Sequence, residues 1–329
     1  MIIPIEEKRL CECLSVIHAA YEPIAAQFGM TDKNTPHRGH ASLPLDVLQK
    51  QFQSGRSMYG YFVHDAIVGF ISYTKNKDFL KINDVVVLPE YQHNGFGSAL
   101  LDYVKEQASI LDVIKITLGM IDDNKVLKEW YIKHGFYQVG AVQYDGAPFL
   151  AGYMEWNKGI SVRHSTVDDA EAILKIYTPF ITDTSISFET ETPTLENFEK
   201  RVERLLSEYP YLVCEKDGVV VGYAYASRHR ERSAYKYSAD VSVYISPAFH
   251  RKGIGRILYM RLIDLLKSQG VYTAYAGVTQ PNDVSIGFHK ALGFSEVGTY
   301  HNVGYKHGKW HDVTWLERPL RKYDKPEAK

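Results

Sequence analysis

Two glycine-rich loops in this sequence have the residues and the spacing to bind an anion. The first reads Gln92-His93-Asn94-Gly95-Phe96-Gly97-Ser98 and the second reads His250-Arg251-Lys252-Gly253-Ile254-Gly255-Arg256. Each follows a β-branched run that ends in proline and precedes an apolar helical pattern. A helix that begins in such a turn exposes unpaired amide N–H groups at the positive end of its dipole. Glycine lets an anion approach this backbone closely, so the pattern predicts phosphate binding, with a purely structural turn as the alternative.

The two loops belong to an internal repeat. Gly95 and Gly253 stand at equivalent positions, and the same shift in numbering aligns later landmarks without a gap. These pairs are Asn124 with Asn282, Tyr131 with His289, Gly135 with Gly293 and Val139 with Val297. The two halves are therefore predicted to share one fold.

Length and repeat together predict two domains. A chain of 329 residues has room for two domains of ordinary size, each with its own core. The repeat places them at residues 1–157 and 160–329, with only a short polar joint between them.

Charge and composition exclude several classes of protein. The formal net charge of -1 argues against nucleic-acid binding through a broad basic face. The sequence shows no basic leader and no segment apolar enough to span a membrane, so we expect a cytoplasmic protein. Cys11, Cys13 and Cys214 fit neither a disulfide framework nor a zinc spacing. The charged residues from Arg321 onward predict a frayed tail.

The apolar patterns around the loops predict an α/β fold of the α+β type, with a mixed, mostly antiparallel sheet flanked by helices in each domain. In the second half, helices are predicted at residues 166–177, 194–207 and 282–292, with one more after the glycine loop. Strands are predicted at 211–215, 219–227, 239–246 and 272–278, followed by two closing strands. The first half repeats this order.

The first loop, Gln92-x-x-Gly95-x-Gly97, matches the signature Gln/Arg-x-x-Gly-x-Gly/Ala. Asn124, Tyr131 and Gly135-Phe136 match a second motif of the same family. On these residues the chain resembles the GNAT superfamily of acyl-CoA-dependent N-acetyltransferases, and the resemblance implies two tandem GNAT domains. The second loop departs from the signature at His250, which implies that one contact is weakened.

The second half resembles one branch more closely, the phosphinothricin and methionine-sulfoximine N-acetyltransferases. Four separate stretches carry this resemblance: residues 187–191, 234–240, 280–283 and 304–312. The resemblance implies an amino-acid acceptor for the second half and leaves the branch of the first half open.

The family resemblance implies acetyl-CoA as the cofactor of both halves, with its pyrophosphate on the loop amides and its pantetheine arm along the preceding strand. The implied cofactor-binding residues of the first half are Val85, Val87, His93, Asn94, Gly95, Phe96, Gly97, Ser98 and Asn124. Those of the second half are Val243, Ile245, Arg251, Lys252, Gly253, Ile254, Gly255, Arg256 and Asn282. The first loop is nearly neutral, which predicts weaker cofactor binding there.

The resemblance also assigns catalytic positions. Tyr131 stands at the family's acid position, with a packed core tyrosine as the alternative. His289 occupies the equivalent place in the second half, where a histidine held by a backbone group is an equal alternative. Asp240 aligns with the glutamate that the phosphinothricin branch uses as base; its alternative is a carboxylate paired with Lys236 or with an arginine of residues 228–230.

The first half has no base at the position equivalent to Asp240, because Ile82 aligns there. Asp84 is the nearest substitute on the same strand, and the sequence favours a surface carboxylate for it.

The acceptor side of the second half is expected to include Phe188, Lys236, Tyr237 and His307. His301, His307 and His311 have no recognised ligand spacing, so no metal site is assigned.

The sequence therefore predicts an acetyl-CoA-dependent N-acetyltransferase that acts on a small amino acid or analogue through its second domain. One alternative is acetylation of a protein, peptide or polyamine by the first domain. Another is that the first domain is a non-catalytic scaffold or a CoA-binding module. The partner is a small-molecule amine, with no nucleic acid and no membrane, and the chain is expected as a monomeric pseudo-dimer or a homodimer.

Overall fold

The computed structural model describes residues 1–323, so most of the predicted tail lies outside the described residues. The chain divides into two compact units, Met1–Lys158 and a second unit that begins at Gly159.

The first unit contains a seven-stranded sheet and four α-helices. In chain order its elements are β1 Ile2–Pro4, α1 Leu10–Gln27, α2 Leu45–Gln53, β2 Ser57–Val63, β3 Ala66–Lys75, β4 Leu80–Val87, α3 Phe96–Ile110, β5 Lys115–Ile121, α4 Lys125–Lys133, β6 Tyr137–Gln143 and β7 Leu150–Asn157.

The second unit repeats this plan. Its elements are β8 Ile160–His164, α5 Ala170–Thr182, α6 Leu195–Glu208, β9 Tyr211–Lys216, β10 Val219–Arg228, β11 Ser238–Ile245, α7 Ile254–Ser268, β12 Thr273–Thr279, α8 Asp283–Ala291, β13 Ser295–Lys306 and β14 Lys309–Pro319. Helix α5 begins later than the sequence suggests, because Thr166 and Asp169 form a capping box around a 3-10 turn before it.

Both sheets are mixed and mostly antiparallel, which confirms the predicted fold class. The strand order is β1-β2-β3-β4-β5-β7-β6 in the first unit and β8-β9-β10-β11-β12-β14-β13 in the second. Among the strands of residues 1–323, only the pairs β4–β5 and β11–β12 are parallel. Helices cover both faces: α1 and α2 pack on one side of the first sheet and α3 on the other.

The parallel strands of each unit touch only where they begin. Between β4 and β5 the pairing stops after Lys81 and Thr117, and between β11 and β12 it stops after Asp240 and Tyr275. Past these points the neighbouring strands diverge. One backbone edge of β4 and one of β11 are therefore left without a strand partner just before the glycine loops.

A β-bulge distinguishes β4 from β11. In β4 the pairing with β3 shifts between Ser72 and Tyr73, so Asn83 is the extra residue. The pairing of β11 with β10 is regular. A bulge changes the alternation of side chains along a strand. Ile82 and Val85 accordingly pack in the α3 core, whereas Asp84 and Val86 lie on the α1 face.

Candidate active site

The glycine loops have the same backbone in both units. Gly95 and Gly253 have φ values of 82° and 80° and stand as the N-caps of α3 and α7. The backbone amides of residues 93–98 and 251–255 form no hydrogen bond to any acceptor within residues 1–323. Each loop therefore presents a row of free N–H donors at a helix N-terminus, which is an anion-binding arrangement.

The second glycine of each loop has a different role from the one expected. A Cβ on Gly97 would lie 3.1 Å from the ring of Trp130, and a Cβ on Gly255 would lie 3.2 Å from the ring of Phe288. These glycines let α3 and α7 pack closely on the helices that follow. Gly95 and Gly253 have open space around them and are required by their positive φ instead.

The first position of the signature holds the loop to its strand in both units. The Nε2 of Gln92 donates to the carbonyl of Val87 at 3.2 Å, and the Nε2 of His250 donates to the carbonyl of Ile245 at 2.9 Å. The ring N–H of His250 thus takes the place of the glutamine amide in holding the loop to its strand.

Several loop side chains are engaged within the protein rather than free for a ligand. The hydroxyl of Ser98 lies 2.8 Å from Nε2 of His134, and the amide of Asn94 donates to the carbonyls of Tyr91 and Gln92. Phe96 packs on Tyr61, Ile254 is buried and Lys252 lies over Phe249. The backbone amides are thus the main donors that the first loop offers.

Asn124 and Asn282 are helix N-caps. The Oδ1 of Asn124 accepts from the amide of Leu127, and that of Asn282 accepts from the amide of Ser285, both at 3.1 Å. These hydrogen bonds use only the Oδ1 atoms, so the side-chain NH2 groups of both residues can donate to a ligand. Asn124 lines the cavity described next.

A cavity of about 1020 Å³ occupies the first unit. It extends from the glycine loop along the free edge of β4 to the inner face of α1. The expected cofactor-binding residues that line it are Val85, Val87, His93, Gly95, Gly97, Ser98 and Asn124.

Tyr131 also lines this cavity. Its ring packs against Trp130 and Phe136, which agrees with the alternative that Tyr131 is a packed core tyrosine. Its hydroxyl has no hydrogen-bond partner among residues 1–323, and burial followed by the charge of Asp84 raises its pKa. The phenol therefore stays protonated and keeps a free donor in the cavity.

Asp84 is not a surface carboxylate, because only 3% of the residue is exposed. Its Oδ1 lies 2.5 Å from Nδ1 of His40, and its Oδ2 accepts from the hydroxyl of Ser72 at 2.6 Å. Arg56 lies 3.7 Å from the same Oδ2. Burial raises the pKa of Asp84, but His40, Ser72 and Arg56 outweigh that effect and the net pKa is lowered.

In the second unit, Asp240 lies on β11 at the last residue pair before β12 diverges. Its Oδ1 lies 2.6 Å from Nδ1 of His229. The hydrogen-bond partner of Asp240 is therefore His229, and not Lys236 or an arginine of residues 228–230, which the sequence offered as the alternative. The ring of His229 stacks on Tyr275 with centroids 4.3 Å apart. Burial raises the pKa of Asp240 although His229 and Arg230 act in the opposite direction.

Both ring nitrogens of His289 are engaged. Nδ1 lies 2.7 Å from the carbonyl of Ser285, which can only accept, so Nδ1 carries the proton. Nε2 lies 2.9 Å from the hydroxyl of Tyr259. Burial lowers the pKa of this histidine. This geometry favours the structural alternative for His289.

The expected acceptor residues of the second unit lie in two places. Phe188 packs on Gly304 of β13, where a Cβ would lie 2.3 Å from its ring, and Nε2 of His307 lies 3.2 Å from the carbonyl of Thr184. Lys236 lies over the ring of Tyr237 in the turn before β11.

Lys306 connects the β13–β14 hairpin to the last turn of α5 and to the segment after it. Its buried ammonium donates to the carbonyls of Ile181 and Ser187 at 2.6 and 2.7 Å. The hairpin and Phe188 are held together by this contact, which the sequence did not predict.

The loops and strand edges fit acetyl-CoA. Free amides at a left-handed glycine suit the pyrophosphate, and the unpaired edge of β4 or β11 suits an extended chain that adds as a strand. Family models agree with this fit. The model "Acetyltransferase (GNAT) domain" matches residues 162–315, and "Acetyltransferase (GNAT) family" matches residues 28–136.

The chain belongs to the GNAT acetyltransferase family. It is 38% identical over 159 residues to a phosphinothricin N-acetyltransferase of Streptomyces viridochromogenes, which covers 48% of this chain and 87% of the relative. It is 35% identical over 170 residues to an L-methionine sulfoximine/L-methionine sulfone acetyltransferase of Salmonella typhimurium, which covers 51% of this chain and 99% of the relative.

A solved structure shows the same fold with its cofactor. The Salmonella typhimurium protein yncA, solved with acetyl-CoA, superposes with a TM-score of 0.50 at 33% identity and covers 52% of this chain and 99% of its own. This GNAT protein is accordingly an acetyl-CoA-dependent N-acetyltransferase with two tandem domains.

Two histidines that the sequence analysis did not single out stand beside the carboxylates. His229 begins the segment between β10 and β11, and His40 lies at φ 83° in the loop after α1. No spacing marks either residue, because each reaches its carboxylate through the fold of an irregular loop.

Residues 1–323 contain no cluster of histidine, cysteine or acidic side chains that could hold a metal ion. Within the same residues, no helix has the length and apolar character needed to cross a membrane.

Proposed function

We propose that the second unit transfers the acetyl group of acetyl-CoA to the α-amino group of a small amino acid or analogue of the methionine sulfoximine or phosphinothricin kind. The observation that carries this proposal is the Asp240–His229 pair where β11 and β12 diverge. The names of the relatives at 35% and 38% identity support the acceptor class.

Acetyl transfer needs a neutral amine, so a base must remove a proton. Asp240 is suited to this step, because its raised pKa makes it a stronger base and 27% of its side chain is exposed. His229 positions the carboxylate through Nδ1. Asp240 takes one proton from the ammonium group. The neutral nitrogen then bonds to the thioester carbon as the carbon–sulfur bond breaks, and the second proton that the nitrogen gives up leaves with the CoA sulfur as the thiol. A free amide on the edge of β11 can hydrogen-bond the oxyanion.

An amino-acid acceptor brings a carboxylate that needs a cation. Arg230 is a candidate, because its charge acts on Asp240 and its guanidinium lies 5.7 Å from the ring centre of Trp315. A carboxylate held there would keep the α-amino group near the base.

The test is acetyl-CoA-dependent thiol release with L-methionine sulfone, L-phosphinothricin and a lysine peptide. We expect turnover of the two amino-acid analogues, and a fall in kcat of about 100-fold or more in Asp240→Asn. Asp217→Asn, the same change at an exposed turn, is the matched control. Unchanged turnover of the analogues in Asp240→Asn, or turnover of the peptide alone, would contradict the proposal.

A further inference from the structure

The carboxylate–histidine pairs of the two units differ in which member is exposed: the histidine in the first unit and the carboxylate in the second. Asp84 is 2% exposed at its side chain and both its oxygens accept short hydrogen bonds, whereas the side chain of its partner His40 is 30% exposed. In the second unit the carboxylate of Asp240 is the more exposed member, at 27% against 13% for His229. In the first unit the histidine is thus the more exposed member of the pair.

The hydrogen bond orients that histidine. An ionised Asp84 can only accept, so Nδ1 of His40 donates to it and Nε2 is the ring nitrogen left for a ligand. Nε2 forms no hydrogen bond within residues 1–323. Gly39, which precedes it, and Tyr21, which meets its ring edge-on at 5.3 Å, both line the cavity.

The walls of the cavity indicate which amine it accepts. No aspartate, glutamate, lysine or arginine of residues 1–323 lines it. Its wall away from the glycine loop is an apolar cluster that includes Ile24, Met30, Ile121 and Phe149. A carboxylate or a second ammonium would lose its hydration there without gaining a partner, which disfavours both groups.

We propose that the first unit is a second acetyltransferase centre, in which His40 is the general base, Asp84 positions it and the acceptor is an apolar primary monoamine. The amine nitrogen bonds to the thioester carbon as the carbon–sulfur bond breaks. Nε2 of His40 takes the amine proton, and the hydroxyl of Tyr131 donates to the departing sulfur.

A matched set of acceptors tests the substrate class. Hexylamine, 6-aminohexanoate and 1,6-diaminohexane have the same six-carbon chain and differ in one end group. They are compared in the full chain carrying Asp240→Asn, with the acetylated products identified by mass. We expect hexylamine to exceed the other two in kcat/KM by about 10-fold or more, which corresponds to at least 1.4 kcal/mol. Equal or better turnover of either charged compound, or no turnover of hexylamine, would overturn the proposal.

A second variant tests the base. His40→Asn keeps a side-chain N–H for Asp84 and tolerates the positive φ, but it removes Nε2. We expect kcat for hexylamine to fall about 100-fold or more while the dissociation constant of CoA, measured by calorimetry, stays within about 2-fold. His37→Asn, at φ 51° in the same loop, is the control and keeps full turnover. Retained turnover in His40→Asn, or equal losses in both variants, would refute the role of His40.

Discussion

At the scale of single residues, His289 shows that a residue at a family's catalytic position can have both ring nitrogens hydrogen-bonded within the protein. Its neutral ring accepts from Tyr259 and donates to Ser285 inside a cluster with Phe288 and Phe294. Because burial lowers its pKa, the unfolded chain binds a proton at a higher pH than the folded one does. Its contribution to stability is therefore complete above about pH 6.5 and is lost as the pH falls below that value.

This linkage predicts how His289→Gln behaves. The variant should be less stable than the parent at about pH 7.5, and the difference in Tm should shrink as the pH falls to about 5.5, because only the parent must keep a buried imidazole neutral. Calorimetry of both proteins across this range measures it. His307→Gln, at an exposed position, serves as the control. A difference in Tm that grows toward acid pH would contradict the assignment.

Asp240 was named from the sequence only through the resemblance of residues 234–240 to the phosphinothricin branch, and its role as base stays a prediction. The partner of Asp240, His229, could not be named from the sequence, because the segment from residue 229 to 237 is irregular and its path depends on packing against Tyr275 and Trp315. The buried state of Asp84 was missed for a related reason, since the residues that cover it lie far away in the sequence.

At the scale of elements, the β4 bulge explains why a gap-free alignment misplaced the chemistry of the first unit. The alignment sets Ile82 opposite Asp240, but the extra residue Asn83 turns Ile82 into the α3 core. A bulge has no clear signal in residue types, whereas the strands and helices themselves follow apolar periodicity and were largely predictable.

The packing of α7 on α8 gives an element-scale prediction. Gly255→Ala places a methyl group 3.2 Å from the Phe288 ring and should lower the free energy of unfolding by about 1–3 kcal/mol. Phe288→Leu in the same chain should restore part of that loss. Gly287→Ala, on α8 with nothing near its Cβ, should instead raise the free energy of unfolding by up to about 1 kcal/mol. Denaturant unfolding measures all three, and equal effects of the two alanines would contradict the packing argument.

At the scale of the whole molecule, the repeat made the two-domain fold and the two glycine loops with free amides predictable. The difference between the two carboxylate–histidine pairs was not predictable, because it depends on how irregular loops fold onto each sheet. The loops also differ in charge: Arg251 and Lys252 accompany the second, whereas His93 and Asn94 stand at the same positions in the first. The second site should therefore bind CoA more tightly at low salt and weaken more as salt is added.

The most direct test of this account is the number of CoA molecules that one chain binds, measured by titration calorimetry on the full-length protein. Two free amide rows beside two unpaired strand edges predict two CoA molecules per chain, the tighter one sensitive to salt. A stoichiometry of one would contradict the claim that both units are complete acetyl-CoA sites.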